Sequence, residues 1–317
     1  MSISIFSSAS GVRSYRATTT DVARPLIAID WGTSSLRGAR LDDDGAVLEE
    51  RAFPRGILTV PAGEFPAVFN ELFGDWMSAH HALCLIAGMA GSKQGWIEAP
   101  YCACPAGAAE LSRRLAWVEA GRIAIVPGLS CEHDNVPDVM RGEETQVFGA
   151  LNLLGIDSGT LVLPGTHSKW VRVEAGRIRD FSTAMTGEFY ALLRQHSILA
   201  RTLPADDGAF YGDAFDTGVA HAMHSPGLLQ SAFSARTLAL FDRMPQAQQP
   251  SYLSGLVIGE ELRERALHAD AHVIVVGAAV LTLRYERALA SLGVRADTVG
   301  AQAGWRGLHD IARTIRA

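Results

Sequence analysis

Four cysteines occur in 317 residues, Cys84, Cys102, Cys104 and Cys131, and no two of them stand at C-x-x-C spacing. They are too sparse for a disulfide scaffold and wrongly spaced for a thiolate metal site, so they read as reduced thiols of a cytoplasmic protein. Positive charge is also short: 28 Lys and Arg against 34 Asp and Glu leave a net charge of −6. With no basic tract to offset it, a broad nucleic-acid surface is excluded, and any anionic ligand needs a local cluster of cations. No apolar run approaches membrane length, and the longest, near Val273–Leu283, is far too short to span a bilayer. His133, Asp134 and Asn135 are adjacent rather than at helical spacing, which argues against a metal site there. Residues 1–24 are rich in Ser and Thr and carry Arg13, Arg16 and Arg24 with a single acid, Asp21. That composition suits a disordered extension, a transit peptide or a misplaced start, and the segment is set aside from the fold.

What is present begins at Leu26–Phe53. An apolar run (Leu26–Ile29) of buried-strand length ends at Asp30, and Gly32-Thr33-Ser34 makes a turn. Alternation resumes through Leu36–Leu41, and Asp43-Asp44-Gly45 signals a hairpin into a third strand. A carboxylate and a small hydroxyl-bearing turn at such a tip suit a phosphate and a hydrated Mg²⁺. The unit recurs at Leu161–Thr183: apolar strand, Gly165-Thr166, alternating strand, Ala175-Gly176 turn, third strand. Two such units, each opening one half of the chain, suggest a duplicated α/β domain pair with phosphate between the halves. Two ordinary hairpins with glycine turns would leave the same trace.

Between the repeats, Phe65, Val68, Phe69, Leu72, Phe73 and Trp76 have the spacing of an amphipathic helix, and Leu83–Ala87 returns as a strand. The loop from Gly88 to Trp96 follows that strand, with neither the G-x-x-x-x-G-K-[ST] nor the G-x-G-x-x-G order. Its position suits a small polar ligand held by Gly88, Met89, Gly91, Ser92, Lys93, Gln94 and Trp96, or a plain connector with Trp96 half-buried. Ile123–Pro127 reads as a strand and 128–138 as loop. Met140–Gln146 then opens a helix whose first turn holds Glu143 and Glu144. Acids there complement the helix's positive end, or one of them faces the cleft as a general base with Arg141 as an anion contact.

In the second half, Met185–Glu188 leads into a helix, and roughly 206–267 is helical with breaks at Pro226, Pro245 and Pro250. Gly255 and Gly259 suggest close helix packing. Val273–Val276 is a buried strand, and Gly277-Ala278-Ala279 turns it into a helix bearing Val280, Leu283 and Leu289. Small residues at such a turn let a ligand such as adenine approach the backbone.

Taken together, Asp30–Ser34, Pro164–Lys169 and Val273–Gly277 resemble the two phosphate segments and the adenosine segment of the actin/hexokinase/Hsp70 ATPase superfamily. Within it, the chain resembles the 2-dehydro-3-deoxygalactonokinase family, in IAIDWGTSSLR (Ile27–Arg37), AGMAGSKQGWIEAPY (Ala87–Tyr101), VPGL (Val126–Leu129), VMRGEETQVFGA (Val139–Ala150), LPGTHSKWV (Leu163–Val171) and LSGLVIGEE (Leu253–Glu261). The resemblance implies two RNase H-like (actin-like ATPase) domains with mixed sheets flanked by helices and a central cleft: 25–157, 158–305, and a terminal helix 306–317 crossing back to the first. It implies ATP-dependent phosphorylation of the 6-hydroxyl of 2-dehydro-3-deoxy-D-galactonate. Gly32, Thr33, Ser34, Gly165, Thr166, His167, Ser168 and Lys169 would hold phosphates, and Gly277, Ala278 and Ala279 adenosine. Asp30 would hold Mg²⁺ through water. Loop 88–96, Arg141, Gly187 and Glu188 would meet the sugar acid, with Arg141 and Lys93 the candidates for its carboxylate. Relatives usually place an Asp at the head of this helix; here Glu143 is the preferred base, with Glu144 beside it and Asp138 as runner-up. A kinase for another short sugar acid or ketose, and a non-catalytic actin-like ATP-binding module, remain the competing readings.

Overall fold

A computed structural model describes residues 25–78 and 82–316; the expectations for residues 1–24 lie outside it. The first half runs β1 (Leu26–Trp31), β2 (Leu36–Leu41), β3 (Val47–Phe53), α1 (Phe65–Met77), β4 (Leu83–Gly88), β5 (Cys102–Ala103), α2 (Ala108–Ser112), β6 (Ala116–Glu119), β7 (Ile123–Ile125), β8 (Leu129–His133), β9 (Val136–Met140) and α3 (Glu143–Leu154). The second runs β10 (Gly159–Leu163), β11 (Ser168–Glu174), β12 (Arg177–Ala184), α4 (Thr186–His196), α5 (Gly212–His224), α6 (Leu228–Ser231), α7 (Ser234–Leu240) and α8 (Gln249–Arg265). It closes with β13 (His272–Val276), α9 (Ala279–Ser291), β14 (Arg295–Val299) and α10 (Ala303–Arg316).

The sequence repeat is a structural repeat. One sheet has the order β3-β2-β1-β4-β7-β6 and the other β12-β11-β10-β13-β14. In both, three antiparallel strands are followed by a fourth that lies parallel to the first. This is the RNase H-like order, present twice in mixed sheets flanked by helices. The period-two rule sorts the side chains into layers. Leu26 and Ala28 of β1 face one core, whereas Ile27, Ile29 and Trp31 face another that contains Phe65, Phe69 and Phe73 of α1. Burying each large apolar side chain of α1 contributes about 1.5–3 kcal/mol. In the second sheet, Leu161 and Leu163 join the same core as Leu26, while Val162 packs with Phe215, Ile258 and Tyr285 on the far side. The shared core is filled by Val147, Phe148 and Leu151 of α3 and by Leu308 and Ile311 of α10, so these two helices lie between the sheets.

Several expectations change on contact with the fold. Residues 129–140 are not loop but a hairpin, β8–β9, in a three-stranded sheet with β5. Its turn is Asp134-Asn135, both with positive φ as a type I′ turn requires, and Pro137 is tolerated because β9 is an edge strand. Pro250 opens α8 rather than breaking a helix. Helix α9 docks through Thr282, Tyr285, Ala288 and Leu289, which leaves Val280 and Leu283 facing solvent. The Gly255 and Gly259 expectation matches the packing. A β-carbon at Gly255 would fall 2.0 Å from the Phe215 carbonyl, and one at Gly259 would fall 2.9 Å from Val219 Cα.

Candidate active site

Both sheets end their central strands in the segments singled out above, and the parallel pairing brings those segments together. Asp30 and Trp31 close β1, and their register partners on β4 are Ala87 and Gly88. Gly88 has φ +90, and a β-carbon there would meet the Trp31 carbonyl at 2.8 Å and Asp30 Oδ1 at 3.2 Å. Glycine is therefore what lets β4 end against the Asp30 carboxylate. Gly142, with φ +105, lies against Gly88 in turn, and this sets the head of α3 beside the ends of β1 and β4.

Asp30 is part-exposed, and its Oδ2 accepts a hydrogen bond from Arg37 Nη2 at 2.5 Å. Arg37 was not among the expected site residues, yet hairpin register predicts it: Asp30 and Arg37 are direct cross-strand partners. The Gly32–Ser34 turn is braced from behind, since Ile57 N–H donates to Gly32 O and Leu58 N–H to Thr33 O. The Thr33 and Ser34 side chains stay exposed.

At the head of α3 the two glutamates have different surroundings. Glu143 Oε2 accepts from Arg141 N–H at 2.9 Å, and Glu144 Oε2 accepts from Gly142 N–H at 2.7 Å. Glu144 is fully buried; desolvation first, and the neighbouring Glu143 charge second, push its carboxyl up to about 8. Its Oε1 has no partner among the described residues. Glu143 is only part-buried by surface, and its pKa is also raised, chiefly by desolvation, with Lys169 opposing and Asp30 adding to the shift. Glu143 thus lies within electrostatic reach of both Asp30 from the first half and Lys169 from the second. Asp138 is otherwise occupied: its carboxylate accepts from Val139 N–H, Thr183 N–H and the Thr183 hydroxyl.

Arg141 stacks 4.3 Å from the Tyr101 ring centroid and donates from Nη2 to Ala99 O at 2.8 Å. Its Nε and Nη1 are buried without a partner, and so is Ser92 Oγ. Gly91 leaves room for the guanidinium, since a β-carbon there would fall 2.7 Å from Nη1. Lys93 and Gln94 are exposed on the same loop. Trp96 turns away into the core behind β1, with ring centroids 5.3 Å from Phe69 and 6.2 Å from Trp31, and Met89 packs against the same cluster.

In the second half, Gly277 follows β13 next to Pro164, which follows β10. Thr166 and His167 are exposed at the turn, and Ala278 and Ala279 are exposed beyond Gly277. Gly187 and Glu188 lie against this turn: Gly187 abuts the Gly165 carbonyl, Glu188 N–H donates to Thr166 O at 3.0 Å, and the Glu188 carboxylate meets His167 Nε2 at 2.5 Å. Ser168 and Lys169 point elsewhere. Ser168 Oγ is buried 2.9 Å from the Tyr285 hydroxyl, and Lys169 Nζ donates to Val139 O and to the Thr183 hydroxyl. Lys169 therefore ties the second sheet to β9 of the first half. A cavity opens beside Gly165 and Gly187, walled by Tyr190, Val257, Leu281 and Arg284. None of those four was anticipated; they come from three helices, and no local pattern links them. Among the described residues no three His, Cys, Asp or Glu side chains gather as a metal cage.

A family model described as 2-keto-3-deoxy-galactonokinase matches residues 30–311. An Escherichia coli (strain K12) protein named 2-dehydro-3-deoxygalactonokinase is 36% identical over 293 residues, covering 91% of this chain and 98% of its own length. A Rhizobium meliloti (strain 1021) relative given the same kinase name is 38% identical over 295 residues, covering 91% and 96%. A crystal structure from Sinorhizobium meliloti, described as a 2-dehydro-3-deoxygalactonokinase protein, has a TM-score of 0.84 at 37% identity and covers 92% of this chain and 99% of its own.

Proposed function

Because the chain belongs to the 2-keto-3-deoxy-galactonokinase family, we propose that it transfers the γ-phosphoryl group of ATP to the 6-hydroxyl of 2-dehydro-3-deoxy-D-galactonate, with Glu143 as the base. It is a phosphotransferase with an alcohol acceptor, an ATP-dependent kinase of galactonate breakdown. The observation that carries the residue assignment is the convergence of Asp30, Gly88, Gly142 and Glu143 where β1, β4 and the head of α3 meet.

Phosphoryl transfer asks mainly for positioning and charge neutralisation. The acceptor oxygen forms a bond to the γ-phosphorus as the bridging P–O bond breaks, ADP leaves, and the hydroxyl proton passes to the Glu143 carboxylate. A raised pKa makes that carboxylate a better proton acceptor, and the Lys169 charge opposes the rise. The Gly32–Ser34 and Gly165–His167 turns would hold the phosphates, and the cavity beside Gly165 and Gly187 would take the base. Arg141 suits the substrate's carboxylate, because two of its donors are otherwise orphaned.

The residues present fit a Mg²⁺ carried in by the nucleotide. Mg²⁺ typically keeps several waters and takes one or two carboxylates plus phosphate oxygens, and Asp30 offers one part-exposed carboxylate at the first turn. When bound, the ion would neutralise charge on the phosphates. Arg37 would hold the Asp30 side chain in place. Among the described residues no helix is long and apolar enough to cross a membrane. We place the enzyme in the cytoplasm because that is where ATP is supplied.

The deciding experiment couples ADP release to a panel of acceptors: 2-dehydro-3-deoxygalactonate, its gluconate epimer and simple aldoses. Strong preference for the first is expected. Turnover of the epimer or an aldose would retain the kinase and overturn the substrate. ATP binding without acceptor-dependent ADP release would favour a non-catalytic module.

A further inference from the structure

Helix α8 carries a carboxylate, Glu261, that is 4% exposed and sits beneath the second phosphate-suited turn. Its Oε1 accepts from Trp170 Nε1 at 2.6 Å; its Oε2 accepts from the Tyr285 hydroxyl at 2.6 Å and from the Thr186 hydroxyl. Three donors from three other elements satisfy a charge that burial would otherwise make costly. Proton directions follow. Tyr285 has one hydroxyl hydrogen and gives it to Glu261, so in the 2.9 Å contact with Ser168 the serine is the donor. Ser168 therefore has no hydrogen left for a phosphate.

Two of those donors flank the turn. Thr186 begins α4, whose next residue, Gly187, abuts the Gly165 carbonyl so closely that a β-carbon would fall 2.5 Å from it, and whose Glu188 N–H holds Thr166 O. Tyr285 reaches the turn's other end through Ser168. We infer that Glu261 is a positioning residue for nucleotide binding. It fixes the Gly165–His167 turn from both ends, through Thr186 on one side and through Tyr285 and Ser168 on the other. Trp170 belongs to the same network but flanks neither end through its indole, which makes it an internal control. The inference rests on the nucleotide reading proposed above.

The test compares Tyr285→Phe, Thr186→Val and Trp170→Phe by ATP titration calorimetry, by KM for each substrate, and by thermal melting. Each of the first two should weaken ATP about tenfold, in Kd and in KM alike, while KM for the sugar acid stays within about twofold. Trp170→Phe should lower the melting temperature with nucleotide affinity nearly unchanged, and Thr186→Ser, which keeps the hydroxyl, should restore affinity. A purely structural network would lower melting temperature in all three with no selective change for ATP, and that pattern would overturn the inference. So would an equal loss of ATP affinity in Trp170→Phe. Wild-type protein that binds ATP but phosphorylates no sugar acid would sink the proposed reaction and leave the calorimetric comparison to decide the role of Glu261.

Discussion

Glu143 and Glu144 are sequence neighbours with opposite prospects, because consecutive residues of a helix point about 100° apart. Glu143 faces Asp30 and Lys169 across the site, while Glu144 is sealed beneath Gly142. Glu143→Gln should cut kcat by at least about a hundredfold with little change in KM, the range of general-base catalysis. A comparable loss confined to Glu144→Gln would move the proton acceptor one residue along. Glu144 instead makes stability pH-dependent. A solvated glutamate, as in the unfolded chain, titrates at 4.5, whereas Glu144 in the fold titrates at about 8, so the fold prefers the neutral acid. The corresponding stability is fully present below pH 4.5 and is lost toward pH 8, at up to about 1.4 kcal/mol per pH unit. Glu144→Gln should flatten that decline in denaturant titrations at about pH 5, 6.5 and 8, values that span the interval between the two states; an unchanged slope would show that another group is responsible. The acid pair was legible in the sequence, but which member faces the site was not, since both suit a first helical turn. Lys169 carries a clue that lies outside any motif: it and Lys93 are the only lysines in the chain. A compact ammonium, rather than a guanidinium fork, fits between Val139 O and the Thr183 hydroxyl.

At the scale of elements, helix-to-helix contact between α3 and α10 sets how accurately Glu143 is held. The helices touch backbone to backbone: a β-carbon on Gly149 would fall 1.7 Å from Ala303 O, and one on Gly307 would fall 1.8 Å from Thr145 O. Gly149→Ala should therefore cost about 1–3 kcal/mol or more in denaturant unfolding, and kcat should fall with it because α3 must shift. Gly155→Ala at the left-handed end of α3 meets no neighbour, and should cost only about 1 kcal/mol with kcat preserved. Equal effects of the two would show that the close crossing does not constrain the site. Strands β1, β2, β10 and β11 and helix α1 were legible because their apolar periods are clean. The β8–β9 hairpin was hidden by Glu132, His133, Asp134, Pro137 and Asp138, which give an exposed edge ribbon the composition of a loop. Which face of α9 docks was not legible, because Val280 and Leu283 are apolar yet face outward.

For the whole molecule, one apolar core serves both sheets, and α10 supplies part of it while packing against α2 and α3. A fragment of residues 25–157 should therefore lack a closed core and fail to give a dispersed NMR spectrum, whereas fusing residues 303–316 to it should recover native-like dispersion. A well-folded 25–157 fragment would show that α10 is dispensable to the first half. The duplication itself was visible in the recurrence of Gly-Thr turns at Gly32 and Gly165. That the two halves share a core between them was not, because apolar residues in a repeat look the same whether they face their own helices or the partner sheet.

The placement of α10 also bears on how the chain is made. Roughly 150 residues separate Leu154 from Ala303, and at about 5–20 residues per second of synthesis the early half waits about 7–30 seconds for its last helix. Through that interval the inner faces of β1 and β4 lack the part of their cover that α10 supplies, so the nascent first half leaves Leu26, Leu83 and Leu85 incompletely buried for whatever holdase stands at the ribosome exit.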